Sequence, residues 1–313
     1  MSKYGYIDKS GRIVIPPQFD TPGYHTEGLA SVEVDGKCRF IDKHGEFALP
    51  LQYEYVDDFS EGLAVFGVNG KYGYINRAGT VEILPTFKSA DYFSDGLALV
   101  RTEAPDGSIH AHYIDTSGEK ALTFPDDRVL YGFSEGLAPN AFWNEKEGTF
   151  DDGYIDTKGA EVFPTRFADA SAFSEGYAYV KTKEGKRGFI DKTGQMVLEL
   201  AFGTSSYSYY SEGLIDVKID HKYGYADKTG SVVIEPRFDT AWEFSEGLAA
   251  VAVDAKYGYF EKSGEWVYDE SFKGTGLYVD AKFGFIDRSG EWVIEPRFKE
   301  AGLFSEGLAS VII

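Results

Sequence analysis

Phe-Ser-Glu-Gly-Leu-Ala, or a close variant, returns along the whole chain, with its glycine at Gly28, Gly62, Gly96, Gly136, Gly176, Gly213, Gly247 and Gly307. Ahead of each copy stands an aromatic-rich segment of the type Tyr4-Gly5-Tyr6-Ile7-Asp8. The spacing from Gly28 to Gly62 to Gly96 is 34 residues at each step (62 − 28 and 96 − 62), and it stretches to 40 from Gly96 to Gly136 and from Gly136 to Gly176. Self-similarity at such a period means that one small supersecondary unit is copied, and that each copy buries its apolar face only against its neighbours. Between Gly247 and Gly307 the interval is 60 residues, and Lys273-Gly274-Thr275-Gly276-Leu277 stands where a loop should be. The reading is therefore nine units, eight complete and one trimmed. As one repeat domain over 1–313, they run 1–34, 35–68, 69–104, 105–144, 145–183, 184–219, 220–253, 254–279 (trimmed) and 280–313.

Within a unit the signals are those of strands. Leu63 to Val68 meets Lys71 to Ile75 across Asn69-Gly70, a dipeptide suited to the positive φ angles of a type I′ hairpin. A second turn with glycine in third place, as in Lys9-Ser10-Gly11, leads into a β-branched run such as Ile13-Val14-Ile15, which Pro16 ends. Each unit of about 34 residues is thus expected to be a three-stranded antiparallel β-meander followed by a loop. In Tyr4-Gly5-Tyr6-Ile7 both strand faces are apolar, so the meanders are expected to stack face to face, as a propeller-like ring or as an open β-solenoid or superhelix. The 22 Tyr and 24 Phe are chiefly the core of that stack. Pairing of Leu308 to Ile313 with Lys3 to Tyr6 would favour the ring.

These motifs resemble the WG-repeat family of bacterial proteins, whose units run aromatic-Gly-aromatic-Ile-Asp, Gly, Val-Ile-Pro, Phe and Phe-Ser-Glu-Gly-Leu-Ala. Lys222 to Val251 follows that order almost throughout, through Ile234-Glu235-Pro236-Arg237-Phe238 to Phe244-Ser245-Glu246-Gly247-Leu248-Ala249. The chain departs from the pattern in having no Trp-Gly pair. Tyr or Phe fills that slot at Tyr4, Tyr72, Tyr223, Tyr257 and Phe283, and the pair is lost at Cys38-Arg39 and Ala111-His112. The resemblance implies an interaction module without a shared enzymatic activity, so it carries over no catalytic residue.

Two recurring acidic slots, Glu27 to Glu306 in the Ser-Glu-Gly bend and Asp8 to Asp287 before the Gly turn, are read as turn chemistry. An acid–base pair needs carboxylates in differing environments, whereas these are equivalent copies. The search finds no Gly-x-Ser-x-Gly elbow, phosphate-cradling loop, CxxC or HExxH. The expectation is a noncatalytic binding or scaffolding module for a protein partner, with no cofactor. Binding of a glycan or small molecule through exposed aromatics is the alternative, and a hydrolase with acids converging on the repeat axis the remote one. A formal net charge of -20 argues against nucleic acid and anionic membrane surfaces, and leaves a basic partner or simple solubility as its reason. Without a transmembrane run or signal peptide, the expected location is cytoplasmic.

A site used once should appear as an exception to the repeat. The enlarged hairpin from Pro139 to Asp152 carries Phe142 and Trp143, the loop before Gly213 carries Tyr207 and Tyr209, and Trp242 falls where other copies have Gly23, Asp57, Asp91, Ser171 or Gly302. These five aromatics are the candidate binding residues. His110 and His112, two apart on a strand, are weak metal candidates with no third ligand, expected to be solvated. Trp266, Trp292, His25, Tyr210 and Cys38 are expected to be packed.

Overall fold

The computed structural model describes residues 2–49, 52–125, 128–163, 167–200, 209–260, 266–269 and 278–313. Among them every regular element is a β-strand. The chain divides into two compact units, Met1–Tyr24 with Ala201–Ile313, and His25–Leu200.

In the second unit the repeat is plain. Tyr55–Val56, Leu63–Val68, Lys71–Asn76 and Val81–Phe87 form one antiparallel four-stranded sheet in chain order, the arrangement of a propeller blade. The hairpin closes at Val68↔Lys71, with Asn69 at φ 50° and Gly70 at φ 68°, as the Asn-Gly signal requires. Ser89–Ala90, Leu97–Glu103, Ile109–Asp115 and Lys120–Thr123 repeat that order, as do Asp169–Ala170, Tyr177–Lys181, Arg187–Asp191 and Met196–Glu199. These sheets correct the expectation of three-stranded units: a fourth, short strand ahead of the meander comes from the loop that follows the previous sheet.

Sheets stack as the two-faced apolar pattern demands. Tyr74, Ile83, Phe87 and Phe93 pack against Ala98, Val100 and Ile114 of the following sheet in one buried cluster. In the first unit Tyr225, Ile234, Phe238 and Phe244 meet Ala249, Val251 and Ile286 in the same way. One face of each sheet offers large rings and the other small aliphatics, so identical units interdigitate without rings meeting rings across every interface.

The first unit also joins the two ends of the sequence. Leu308–Ile312 pairs with Tyr4–Asp8 from Gly5↔Val311 to Asp8↔Leu308, inside a sheet completed by Ile13–Phe19 and Glu300–Ala301. The trimmed unit, by contrast, does not follow in line. Ala249–Val253 pairs with Lys282–Ile286, and the chain between them makes a separate small sheet of Trp266–Tyr268, Lys256–Phe260 and Tyr278–Val279. The trimmed copy is therefore nested inside a hairpin formed by the end of the unit before it and the start of the unit after it. Asp239 anchors its root, accepting hydrogen bonds from the Ala255 N–H at 3.0 Å and the Tyr257 hydroxyl at 2.9 Å.

Candidate partner-binding surface

The Ser-Glu-Gly bend is a two-residue turn with positive φ at both central residues, 53° at Glu61 and 81° at Gly62. The Ser60 N–H donates to the Leu63 carbonyl at 2.9 Å, and the Leu63 N–H returns the bond at 3.1 Å. A glutamate in the left-handed region is unfavourable by itself. Its side chain compensates by reaching the next copy. The Gly62 N–H donates to Glu27 Oε1 at 2.9 Å, Gly136 to Asp95 Oδ2 at 2.8 Å, Gly176 to Glu135 Oε2 at 3.0 Å and Gly307 to Glu246 Oε2 at 3.0 Å. The serine makes a parallel tie, Ser60 Oγ donating to the Phe93 carbonyl at 2.7 Å and Ser245 Oγ to that of Phe304 at 2.7 Å. The second acidic slot stays local. Asp227 Oδ1 accepts from the Thr229 N–H at 2.8 Å, the Thr229 hydroxyl at 2.6 Å and the Ser231 N–H at 3.1 Å, and the hydroxyl bond is the main reason its pKa lies below the usual carboxylate range. The second slot is turn chemistry, as expected, whereas the first also ties each of these copies to the next.

The loop entering that bend is held differently. Its backbone is tied to the first strand of its own sheet, through Asp91 N–H to the Leu99 carbonyl at 2.9 Å and Trp242 N–H to that of Ala250 at 3.0 Å. Its carbonyl accepts the hydroxyl of the buried tyrosine of the preceding middle strand. Tyr74 reaches Asp91 at 2.8 Å, Tyr113 reaches Tyr131 at 2.6 Å, Tyr154 reaches Ser171 at 2.7 Å and Tyr225 reaches Trp242 at 2.7 Å. In these copies a tyrosine hydroxyl thus fixes a backbone position whose own side chain varies, whereas Phe40, Phe189 and Phe285 fill the same slot without a hydroxyl.

Aromatic side chains stand out at this position or the next one. In the second unit Tyr92 is 58% exposed, and Tyr131 lies in the adjacent loop, also exposed. In the first unit Trp242 is 47% exposed, and the exposed Tyr209 donates its hydroxyl to Glu243 Oε1 at 2.5 Å. Tyr24 is exposed in the equivalent place. Of these, Tyr24, Tyr92 and Tyr131 are not picked out by the sequence reading. The signal was available, since Tyr24 and Tyr92 fill a slot that holds Asp58, Gly132, Ala172 and Glu243 elsewhere, and Tyr131 fills that of Trp242. Burial raises the Asp91 pKa against the opposing pull of Arg101.

The other candidates fall elsewhere. Trp143 is half exposed near the tip of the hairpin Leu137–Asn144 and Thr149–Asp156, edge-on to the exposed Phe150 with ring centroids 5.1 Å apart. Phe142 on the same strand is half-buried, with the Arg128 guanidinium 4.2 Å above its ring. Tyr207 and the loop Lys273 to Leu277 lie outside the described residues. Beside this hairpin Lys183 bridges Glu147 and Asp151, and burial, then the charges of Asp169 and Asp151, push Asp152 up to about 6.

Two expectations need correction. His112 is buried rather than solvated, because it occupies the glycine slot of the middle strand, and burial lowers its pKa. His110 is half-buried with its ring 2.8 Å from Ser108 Oγ, and among the described residues no three metal-binding side chains cluster. Trp266 and Trp292 are only half-buried, since the strand position they share with the exposed Ile13 faces partly outward. His25 and Tyr210 are buried, and Cys38 is half-buried with its thiol pKa raised by burial.

The profile of the WG containing repeat family matches residues 4–38, 39–72, 72–103, 153–186, 188–223, 223–257 and 283–313. The chain belongs to the WG-repeat family. The two interior stretches that this WG-repeat protein leaves unmatched, 104–152 and 258–282, hold the histidine-bearing strand and part of the Trp143 hairpin in one case and most of the nested sheet in the other. No curated protein matches it. Among solved structures, the crystal structure of the eukaryotic initiation factor is 13% identical with a TM-score of 0.54, covering 96% of this chain and 86% of that one. BamB from Moraxella catarrhalis is 12% identical (TM-score 0.48, 80% and 89% covered), and the WD40 beta propeller domain of Doa1 is 15% identical (TM-score 0.39, 80% and 94% covered). At such identities the likeness to the first is one of fold alone.

Proposed function

We propose that this WG-repeat protein is a noncatalytic scaffold that binds a protein partner through the aromatic loop positions. The observation that carries the reading is a loop position whose carbonyl is held by a buried tyrosine hydroxyl at Asp91, Tyr131 and Trp242, with an exposed Tyr or Trp at that position or the next one, at Tyr92, Tyr131 and Trp242. Rigidly presented Tyr and Trp are the residues that most often anchor interfaces, because they bury much area at little entropic cost. With a net charge of -20 the preferred partner surface is basic, and binding is expected to weaken with salt. A photo-crosslinking residue at Tyr92 or Trp242 should trap one defined protein, and the same residue at Ile13, exposed on a strand, should not. Equal trapping at all three positions would overturn the proposal.

The exposed Trp143 and Phe150 pair favours a second reading, binding of a glycan against that hairpin. Titration of tryptophan fluorescence with a glycan panel tests it, and a response that survives Trp143→Ala and Trp242→Ala would exclude these rings as the site.

A further inference from the structure

The nested copy is a direct duplication. Val253-Asp254-Ala255-Lys256-Tyr257-Gly258-Tyr259-Phe260-Glu261-Lys262-Ser263-Gly264-Glu265-Trp266-Val267 recurs 26 residues on (279 − 253) as Val279-Asp280-Ala281-Lys282-Phe283-Gly284-Phe285-Ile286-Asp287-Arg288-Ser289-Gly290-Glu291-Trp292-Val293. Every difference between the copies is conservative: Tyr/Phe twice, Phe/Ile, Glu/Asp and Lys/Arg.

In the standard unit the strand before the turn pairs with the strand after it, Val68↔Lys71 across Asn69-Gly70 and Ile219↔Lys222 across Asp220-His221. At the duplication the partners are crossed. Val253 pairs with Lys282, and Val279 pairs with Lys256. The side chains cross in the same sense, with Lys256 Nζ 2.8 Å from Asp280 Oδ2 and Lys282 Nζ 3.7 Å from Asp254 Oδ2. Asp254 at φ 61° and Asp280 at φ 59° already hold the left-handed conformation of a tight-turn residue.

We infer that this junction has a second resolution, in which Val253 pairs with Lys256 and Val279 with Lys282, so that two interchangeable middle strands serve one sheet. The register with Ala249–Val253 is the same in both states, because the copies are in phase. The spare copy also leaves from the same end of the sheet in both, since the first strand and the third strand both run toward the hairpin end. The observed pairing is the ground state because Phe285, Ile294 and Phe298 are buried in it, and the proximal copy would bring Tyr259 and Tyr268 to the first two of those places. Exchange replaces a displayed copy bearing the exposed Tyr259 and Tyr268 with one bearing Phe283, Phe285 and Trp292. The duplication is thus a conformational switch of the displayed surface.

Glycine substitutions test it. A Cβ at Gly284 would stand 2.5 Å from the Ile294 carbonyl oxygen, and one at Gly224, whose sheet has no spare copy, 2.3 Å from that of Ile234. Thermal unfolding should show Gly284→Ala losing clearly less Tm than Gly224→Ala, because the proximal strand takes over. Gly258→Ala disables the spare, so the double variant Gly258→Ala/Gly284→Ala should lose more than the sum of the two single losses. Acrylamide quenching should show Trp292 becoming more accessible in Gly284→Ala. Additive losses of Tm, or a Gly284→Ala loss equal to that of Gly224→Ala, would overturn the inference.

Discussion

At Gly73 a Cβ would stand 2.4 Å from the Ile83 carbonyl oxygen, because the strand Val81–Phe87 bulges against the middle strand there. Gly73→Ala is expected to lose about 1 to 3 kcal/mol in urea denaturation, the cost of overpacking. Asn140 is an opposite case. It is fully buried in the slot that holds Phe66, Val100, Val180 and Val217 in other sheets, and among the described residues its amide has no hydrogen-bond partner. Asn140→Val should gain about 1 to 2 kcal/mol in the same measurement, because an unsatisfied buried amide is removed. Asp152 adds a pH signature. Its carboxyl is raised to about 6, above the unfolded value, so its contribution to stability is full below about pH 4 and is lost as pH rises through 6. Asp152→Asn is therefore expected to stabilise the fold at pH 7 by about 1 kcal/mol after allowance for solvent screening, and to have little effect at pH 4.

At the scale of elements, the bend into the first strand is where one copy grips the next. The Gly247 N–H donates to both carboxylate oxygens of Glu212, at 3.0 and 3.1 Å. Glu212→Ala should lose about 1 kcal/mol and Glu212→Gln less, since the amide oxygen still accepts, as denaturant midpoints at constant slope would show. This bend, the Asn69-Gly70 hairpin and the aspartate turns were legible in the sequence because each is decided by neighbours a few residues apart. The nesting of the trimmed unit was not. Lys256 to Phe260 and Lys282 to Ile286 offer Ala249–Val253 nearly the same strand, and the choice rests on remote packing around Ile294 and Phe298. The candidate binding surface was half legible for a related reason. Trp242 and Tyr209 broke the pattern visibly, whereas Tyr92 was hidden among aromatics whose ordinary place is the core.

For the whole molecule the net charge of -20 dominates long-range electrostatics. Self-repulsion among like charges is screened within about 10 Å at 0.1 M salt, so moderate salt should raise the melting temperature while weakening capture of a basic partner. The two trends have opposite signs and can be measured on one preparation. Asp8, Asp115, Asp191, Asp227 and Asp287 act together here, each held below its ordinary pKa chiefly by a neighbouring hydroxyl. Their support is present above the ordinary carboxylate range and lost as pH falls through the lowered values.

The pairing of Tyr4–Asp8 with Leu308–Ile312 also governs timing. A ribosome adds about 5 to 20 residues per second, so the first strand waits roughly 15 to 60 s for its last partner. Through that interval one edge of an aromatic strand stays open to any other strand in reach. Folding of this chain during synthesis is therefore a race between the strand Leu308–Ile312 and foreign edges, and faster translation should improve the soluble yield.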